Sequence, residues 1–150
     1  MEYVSIESTR EFLLGLPRVE ETLQWGDNLV YWVLDKAVGG KMFALLNSEP
    51  DAKYVLSFAV PPNLYNDLLE IDGVDPAPYF ARIHWVAVES WQVFRDMEWK
   101  DHLRDAYART EAKLPRMQQR VMELDDREYR ALVKERRAAI KAAAAKKKKK

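Results

Sequence analysis

The residue types that most often carry out chemistry are sparse in this 150-residue sequence. There is no cysteine, which excludes disulfides, thiolate zinc sites, iron–sulfur clusters and cysteine nucleophiles. The two histidines, His84 and His102, are eighteen residues apart, match no zinc-binding spacing and are expected to be structural. No serine has the flanking glycines of a nucleophile elbow. The sequence therefore predicts a protein that is not an enzyme and that holds no metal or cofactor.

The stretch 38–41, Val-Gly-Gly-Lys, has the glycines and the lysine of a phosphate-binding loop. It lacks the upstream glycine and the Ser/Thr that would hold magnesium. Apolar, β-type runs flank it at 29–34 and 42–46. Because glycine accepts a positive φ without steric cost, a Gly-Gly pair between two such runs predicts a β-hairpin instead.

Charged residues offer a second kind of site, because their distribution along the chain is uneven. Residues 131–150 hold nine basic side chains and one acid, a net charge of +8, whereas residues 1–130 have a net charge of −8. An acidic body joined to a basic end is typical of a tail that binds a polyanion. The alternative is that an alanine- and lysine-rich end only raises solubility.

Acids also cluster near the predicted first helix, where Glu7 and Glu11 are close to the pair Glu20 and Glu21. These carboxylates would either bind a cation weakly or form a solvated acidic face. The solvated face is favoured, because surface acids are common.

Apolar spacing and turn residues place the elements that must position these side chains. A capping-box pattern at 8–11 predicts a short first helix, and a second short helix is expected from Pro61 to Leu69. Strands are predicted at 29–34, 42–46, 54–59 and 83–88. From Glu98 onward one apolar stripe predicts a long helix with these inward residues: Trp99, Leu103, Ala106, Tyr107 and Leu114.

The order helix, meandering strands, helix predicts an α+β fold, in which the N- and C-terminal helices pack on one face of an antiparallel sheet. Pro115 marks a break after the long helix. Beyond it, residues 125–128 are expected to cap a helical C-terminal extension, and residues 138–145 have almost nothing to bury. Repulsion among the five terminal lysines is expected to fray the tail.

Several segments, in order and spacing, resemble the MmcQ/YjbR family. They are residues 16–21, 25–26, 39–46, 73–74, 76–79, 84–86, 107 and 113–115. The Gly-Lys-Met-Phe-Ala block at 40–44 and the His-Trp-Val block at 84–86 are the most specific. The resemblance covers about residues 8–116 and implies a frataxin/CyaY-like fold for residues 1–116, followed by the extension at 117–150. Ala59 stands where the family usually has lysine, which weakens any binding surface inferred from the family.

The resemblance implies DNA binding, because members of the family are commonly labelled DNA-binding. We expect binding to be largely electrostatic, with the basic tail supplying most of the affinity. Within the domain, a small polar or basic surface is expected beside Trp85; Trp85 and Tyr79 are either core residues or stack on a ligand, and the core is favoured. The predicted nucleic-acid-binding residues are Lys41, Arg82, His84, Lys134, Arg136, Arg137, Lys141, Lys146, Lys147, Lys148, Lys149 and Lys150.

Two alternatives remain open. The acidic body and the helical extension also suit a protein- or small-ligand-binding module without a nucleic-acid role. Iron binding would follow only by analogy with the frataxin-like fold, which is a poor guide to function.

Residues 1–10 carry charges where a signal peptide needs an apolar run, and no apolar stretch approaches membrane-spanning length. We therefore expect a cytoplasmic protein that does not contact the membrane.

Overall fold

The chain folds around an antiparallel sheet, which a computed structural model describes over residues 5–49, 51–78 and 80–148. In that part of the chain the strands are β1 (Val19–Gln24), β2 (Asn28–Val33), β3 (Lys41–Asn47), β4 (Leu56–Ala59), β5 (Val74–Pro76) and β6 (Trp85–Val88). The helices are α1 (Ile6–Leu14), α2 (Pro62–Leu69), α3 (Asp96–Ala112), α4 (Arg116–Met122) and α5 (Asp126–Lys148). Single 3₁₀ turns lie at Lys36–Val38 and Ala81–Ile83.

The strands lie in the order β1-β2-β3-β4-β6-β5, and every neighbouring pair is antiparallel. The four strands predicted from the sequence correspond to β2, β3, β4 and β6. The sequence did not predict β1 or β5. Both are edge strands, in which polar residues and proline are tolerated. In β1 no side chain is fully buried, so its sequence lacks the apolar run of an inner strand.

The hairpin predicted at the glycine pair joins β2 to β3 through the Lys36–Val38 turn. Gly39 has a φ of 87°, in the left-handed region that favours glycine. A Cβ on Gly40 would lie 1.9 Å from the backbone oxygen of Leu34. These glycines are therefore explained by the geometry of the turn, and no phosphate loop is formed.

The N- and C-terminal helices pack on one face of the sheet, as predicted. The paired residues Tyr31, Ala44 and Phe58 point toward that face, where the Phe58 ring stacks on His102 of α3 at 5.8 Å. Helix α1 lies on the same side, because Arg10 binds Glu21 and Glu21 accepts a hydrogen bond from the Tyr31 hydroxyl. The predicted apolar stripe of α3 and its continuation at Leu114 are buried.

The first helix begins one turn earlier than predicted. Its N-cap is Ser5, whose hydroxyl accepts from the Ser8 N–H at 3.2 Å, while the Ser8 hydroxyl accepts from the Ser5 N–H at 3.0 Å. The predicted cap at Ser8 was wrong because Ser5 and Ser8 also have capping-box spacing, and this pair is the one that forms.

The C-terminal extension consists of α4 and α5. Pro115 is the N-cap of α4, which confirms the predicted break. The Asp125 carboxylate accepts a hydrogen bond from the Glu128 N–H at 2.8 Å, at the predicted start of α5. Tyr129 and Val133 of α5 join the hydrophobic core, and every described side chain from residue 134 to 148 is exposed. Among the described helices, none combines the length and the apolarity needed to cross a membrane.

Candidate functional site

Helix α5 is fixed to the domain by a buried polar cluster around Asp35, which is 5% exposed. Arg137 forms an ion pair with the Asp35 carboxylate. The Asp35 N–H donates to the Tyr129 hydroxyl at 2.9 Å, and that hydroxyl donates to the Glu20 carboxylate at 3.2 Å. Burial, together with the neighbouring carboxylates, raises the pKa of Tyr129 to about 12. Tyr129 therefore stays protonated near neutral pH and keeps both hydrogen bonds.

Arg18, which precedes β1, holds the start of the same helix. Its guanidinium lies 4.5 Å from the centre of the Tyr129 ring, forms an ion pair with Asp126 at 2.7 Å and donates to the carbonyl of Leu124. The preceding helix α4 is attached separately, because its Gln118 donates to the carbonyl of Val38 at 3.4 Å. The first half of α5 is thus attached to the domain at several points.

The predicted tail residues differ in whether their side chains are available to bind a phosphate. Arg137 is engaged by Asp35, so it is a poor candidate for binding a phosphate. Lys149 and Lys150 lie outside the described residues. The other predicted residues of the tail are exposed along α5: Lys134, Arg136, Lys141, Lys146, Lys147 and Lys148.

The predicted residues of the domain come to one end of the sheet. Lys41 begins β3, while Arg82 and His84 precede β6; because β3, β4 and β6 are antiparallel neighbours, these points share an end. Helix α5 also contacts the Lys36–Val38 turn at this end. Lys41 and Arg82 are exposed. The topology therefore places the first part of the basic helix and these two basic side chains at the same end of the sheet.

His84 and Trp85 are held by packing. The His84 ring meets the Tyr65 ring edge-on at 5.2 Å, and its backbone has a φ of 60°. Trp85 is 3% exposed and contacts Phe80 at 5.2 Å between ring centres. Trp85 is thus a core residue, as favoured from the sequence, and Tyr79 lies outside the described residues.

Of the acids near the first helix, Glu20 and Glu21 are engaged by separate partners. Glu21 binds Arg10 at 2.8 Å and the Tyr31 hydroxyl at 2.6 Å, and these hydrogen bonds lower its pKa against the opposing effect of burial. Glu20 accepts from Tyr129. Within residues 5–49, 51–78 and 80–148, no three histidine or carboxylate side chains gather as metal ligands would.

A second candidate site, which the sequence did not predict, is a cleft of about 870 Å³ on the sheet face opposite α3. Leu45 and Ser57, a directly paired couple of β3 and β4, lie on its floor. Its aromatic lining comes from three loops, which contribute Trp25, Tyr54 and Phe80. Sequence reasoning missed it because residues so far apart in the chain form no motif. The one available signal was an apolar tryptophan directly before the turn glycine Gly26.

The rim of the cleft is charged. Glu49 lines it, and Asp27 and Asp51 lie nearby. Hydrogen bonding to Asp27, together with repulsion by Asp27 and Asp51, raises the pKa of Glu49. Lys53 also lines the cleft, with its ammonium 5.3 Å from the centre of the Tyr54 ring. The Tyr54 hydroxyl donates to Asp75 at 2.9 Å.

Comparison with known proteins places the chain in a family. The model of the YjbR family matches residues 14–109, and the chain belongs to this family. The family predicted from the sequence is thereby confirmed. No curated protein matches the chain in sequence.

Two solved structures share the fold. The structure of Deinococcus radiodurans protein DR2400, with its DUF419 domain, has a TM-score of 0.71 and 22% identity, and the match covers 83% of this chain and 91% of that one. A Pseudomonas syringae protein has a TM-score of 0.60 and 20% identity over 71% of this chain and 99% of its own. At these identities the similarity concerns the fold, and it agrees with the predicted α+β class.

Proposed function

We propose that this YjbR-family chain is a non-enzymatic DNA-binding protein and that α5 supplies most of its phosphate contacts. The observation that supports this most is the construction of α5. Its first half is attached to the domain through Tyr129, Val133 and Arg137, while its second half carries exposed lysines. A basic helix held in a fixed direction loses less conformational entropy on binding than a flexible tail.

The dimensions of the helix suit a nucleic-acid backbone. Residues 134–148 extend about 22 Å at 1.5 Å per residue. This length matches roughly six base pairs of duplex DNA at 3.4 Å each. Six exposed cations lie along it, because Arg137 is engaged by Asp35.

Binding of this type is electrostatic and does not depend on sequence. The body carries a net charge of −8 over residues 1–130 and repels a polyanion, so the helix must direct the complex. Lys41 and Arg82, at the end of the sheet that α5 contacts, would add phosphate contacts. His84 is a weaker candidate, since its ring packs on Tyr65.

The test is a salt series of fluorescence-anisotropy titrations with a short labelled DNA duplex. We expect log K to fall linearly with log salt concentration, by about 0.9 for each phosphate neutralised. Deletion of residues 138–150, which leaves Tyr129, Val133 and Arg137 in place, should weaken binding strongly and flatten this slope. Unchanged binding by the deletion variant would remove the role of α5, and absence of binding by the full chain at low salt would refute the function.

A matched pair of variants separates local contacts from net charge. The double variant Lys134→Gln/Lys141→Gln and the control Lys100→Gln/Lys113→Gln each remove two positive charges, the first from α5 and the second from α3 and its C-cap. We expect the α5 variant to lose about two units of salt slope and the control to change little. Equal losses of salt slope in the two variants would mean that DNA binding depends only on the total charge of the protein.

The alternative of a ligand-binding module has one observation in its favour, which is the aromatic cleft on the opposite face of the sheet. It lies apart from the α5 attachment, because Glu20, Asp35 and the Lys36–Val38 turn, which α5 contacts, are not among the residues that line the cleft.

A further inference from the structure

The aromatic lining of the cleft includes a tryptophan that the fold leaves largely uncovered. Trp25 is 61% exposed, and its ring centre lies 6.4 Å from that of Phe80. Phe80 in turn rests on the buried Trp85. Large aromatic side chains contribute most to stability when they are buried, so an exposed one over an apolar floor is available for a ligand.

The charges at the cleft determine which ligands it favours. Glu49 lines the cleft together with Trp25, and the carboxylates of Asp27, two residues from Trp25, and of Asp51 lie close enough to Glu49 to raise its pKa. Lys53 lies beside Tyr54, with its ammonium over the Tyr54 ring. Glu49 and Lys53 both line the cleft, and with Asp27 and Asp51 beside Glu49 the carboxylates outnumber the one lysine, so together they repel an anion and attract a cation.

We propose that this cleft binds a small organic cation whose charge is carried on an apolar body, such as a quaternary ammonium. The cationic group would lie against the face of Trp25 and beside Glu49, and the apolar part over Leu45 toward Phe80. Aromatic faces attract cations through their quadrupole, and a quaternary ammonium suits such a site because it has no N–H groups that need hydrogen bonds. This proposal does not rest on DNA binding.

The experiment uses the full chain and three probes of similar size at constant ionic strength. The cationic probe is benzyltrimethylammonium, the neutral one is its near-isostere 2-methyl-1-phenyl-2-propanol and the anionic one is benzenesulfonate. NMR titration should show saturable shifts of the Trp25 indole N–H with the cation, weaker shifts with the alcohol and none with the sulfonate. Equal affinity for cation and alcohol, or saturable binding of the sulfonate, would overturn the proposal, as would the absence of cation binding.

A second readout is specific to the position of the charge. Since a nearby cation favours the ionised carboxylate, saturation with benzyltrimethylammonium should lower the pKa of Glu49. Glu128 is a matched reference, because its pKa is also raised, by a hydrogen bond and repulsion from Asp125, at the far end of the chain. A shift at Glu49 without a shift at Glu128 supports the site, and equal or absent shifts contradict it.

Variants complete the test. Trp25→Ala and Glu49→Gln should each weaken binding of the cation by about fivefold to thirtyfold. The controls Met97→Ala, an exposed apolar residue that is 74% exposed, and Glu128→Gln should leave binding unchanged. Deletion of residues 138–150 should also leave it unchanged, so failure of the cation site and failure of DNA binding can be told apart. Affinity that is unaffected by both Trp25→Ala and Glu49→Gln would place the cation elsewhere.

Discussion

The His102 side chain packs against aromatic rings in the folded protein. Its ring stacks on Phe58 at 5.8 Å and lies 4.6 Å from Phe94. Burial lowers its pKa below the ordinary value of 6.5, against the attraction of Asp105, Glu98 and Asp101. The neutral imidazole is therefore the form that the folded protein prefers.

This preference predicts a pH dependence. Because the folded pKa is lowered, the unfolded chain takes up the proton first as the pH falls. The stabilisation is thus complete above the unfolded pKa and decreases as the pH falls from 6.5 toward the folded pKa. Urea unfolding at about pH 7 and about pH 5.5 should show a smaller loss of stability for His102→Phe than for the natural chain. Identical losses would contradict the burial of the imidazole.

Tyr129 supports a second prediction at the residue scale. Its hydroxyl is the acceptor for the buried N–H of Asp35. Tyr129→Phe would leave that N–H without a partner, and we expect the free energy of unfolding to decrease by about 1–3 kcal/mol.

Tyr54→Phe is the control, since the Tyr54 hydroxyl donates to the carboxylate of Asp75 at a half-buried position, where water can replace this hydrogen bond. Urea unfolding of both variants makes the comparison. A cost for Tyr129→Phe no larger than that for Tyr54→Phe would show that the Asp35 cluster is not a buried network.

Helix α5 combines two functions along its length. Its first turns bury Tyr129 and Val133 in the core, and residues 134–148 bury nothing. The helix continues through Lys148, where fraying was expected from lysine repulsion. Alanine and lysine are good helix formers, and the packed inner half supplies the nucleus from which the outer half continues and fixes its direction.

Two truncations test this division. Deletion of residues 138–150 should leave the free energy of unfolding nearly unchanged, because every side chain described in this segment, over 138–148, is exposed. Deletion of residues 126–150 should lower it by about 3 kcal/mol or more, because a buried tyrosine and a buried valine are removed. Calorimetric or urea unfolding distinguishes them. Equal stability of the two truncated chains would mean that α5 does not contribute to the core.

Among the secondary-structure elements, apolar periodicity predicted those whose own residues form an apolar face. It predicted β2, β3, β4, β6 and the stripe of α3, since each has an apolar face that must be buried. It missed β1 and β5, because edge strands can be polar or contain proline. The start of α1 was misplaced by one turn because two serine-based caps compete within residues 5–11, and local sequence does not rank them.

Across the molecule as a whole, negative and positive charge are separated between the folded body and the C-terminal helix. The acidic body and the basic helix carry −8 and +8, so the molecule has a large dipole although its net charge is zero. Such a dipole orients an approaching polyanion toward α5 and an approaching cation toward the body. The two proposed sites have opposite charge preferences and lie on different parts of the fold, so both can be occupied together.

Trp25 and Arg137 separate what the sequence determines from what the tertiary structure decides. The sequence alone determined the family, the α+β class, the hairpin and the basic end of the chain, because those depend on local composition and on the spacing of residues that are close in sequence. Only the tertiary structure decided that Arg137 pairs with Asp35, 102 residues away, and that Trp25 lines a cleft with Tyr54 and Phe80. Contacts between distant residues depend on sheet order and register, which the composition of each segment does not specify.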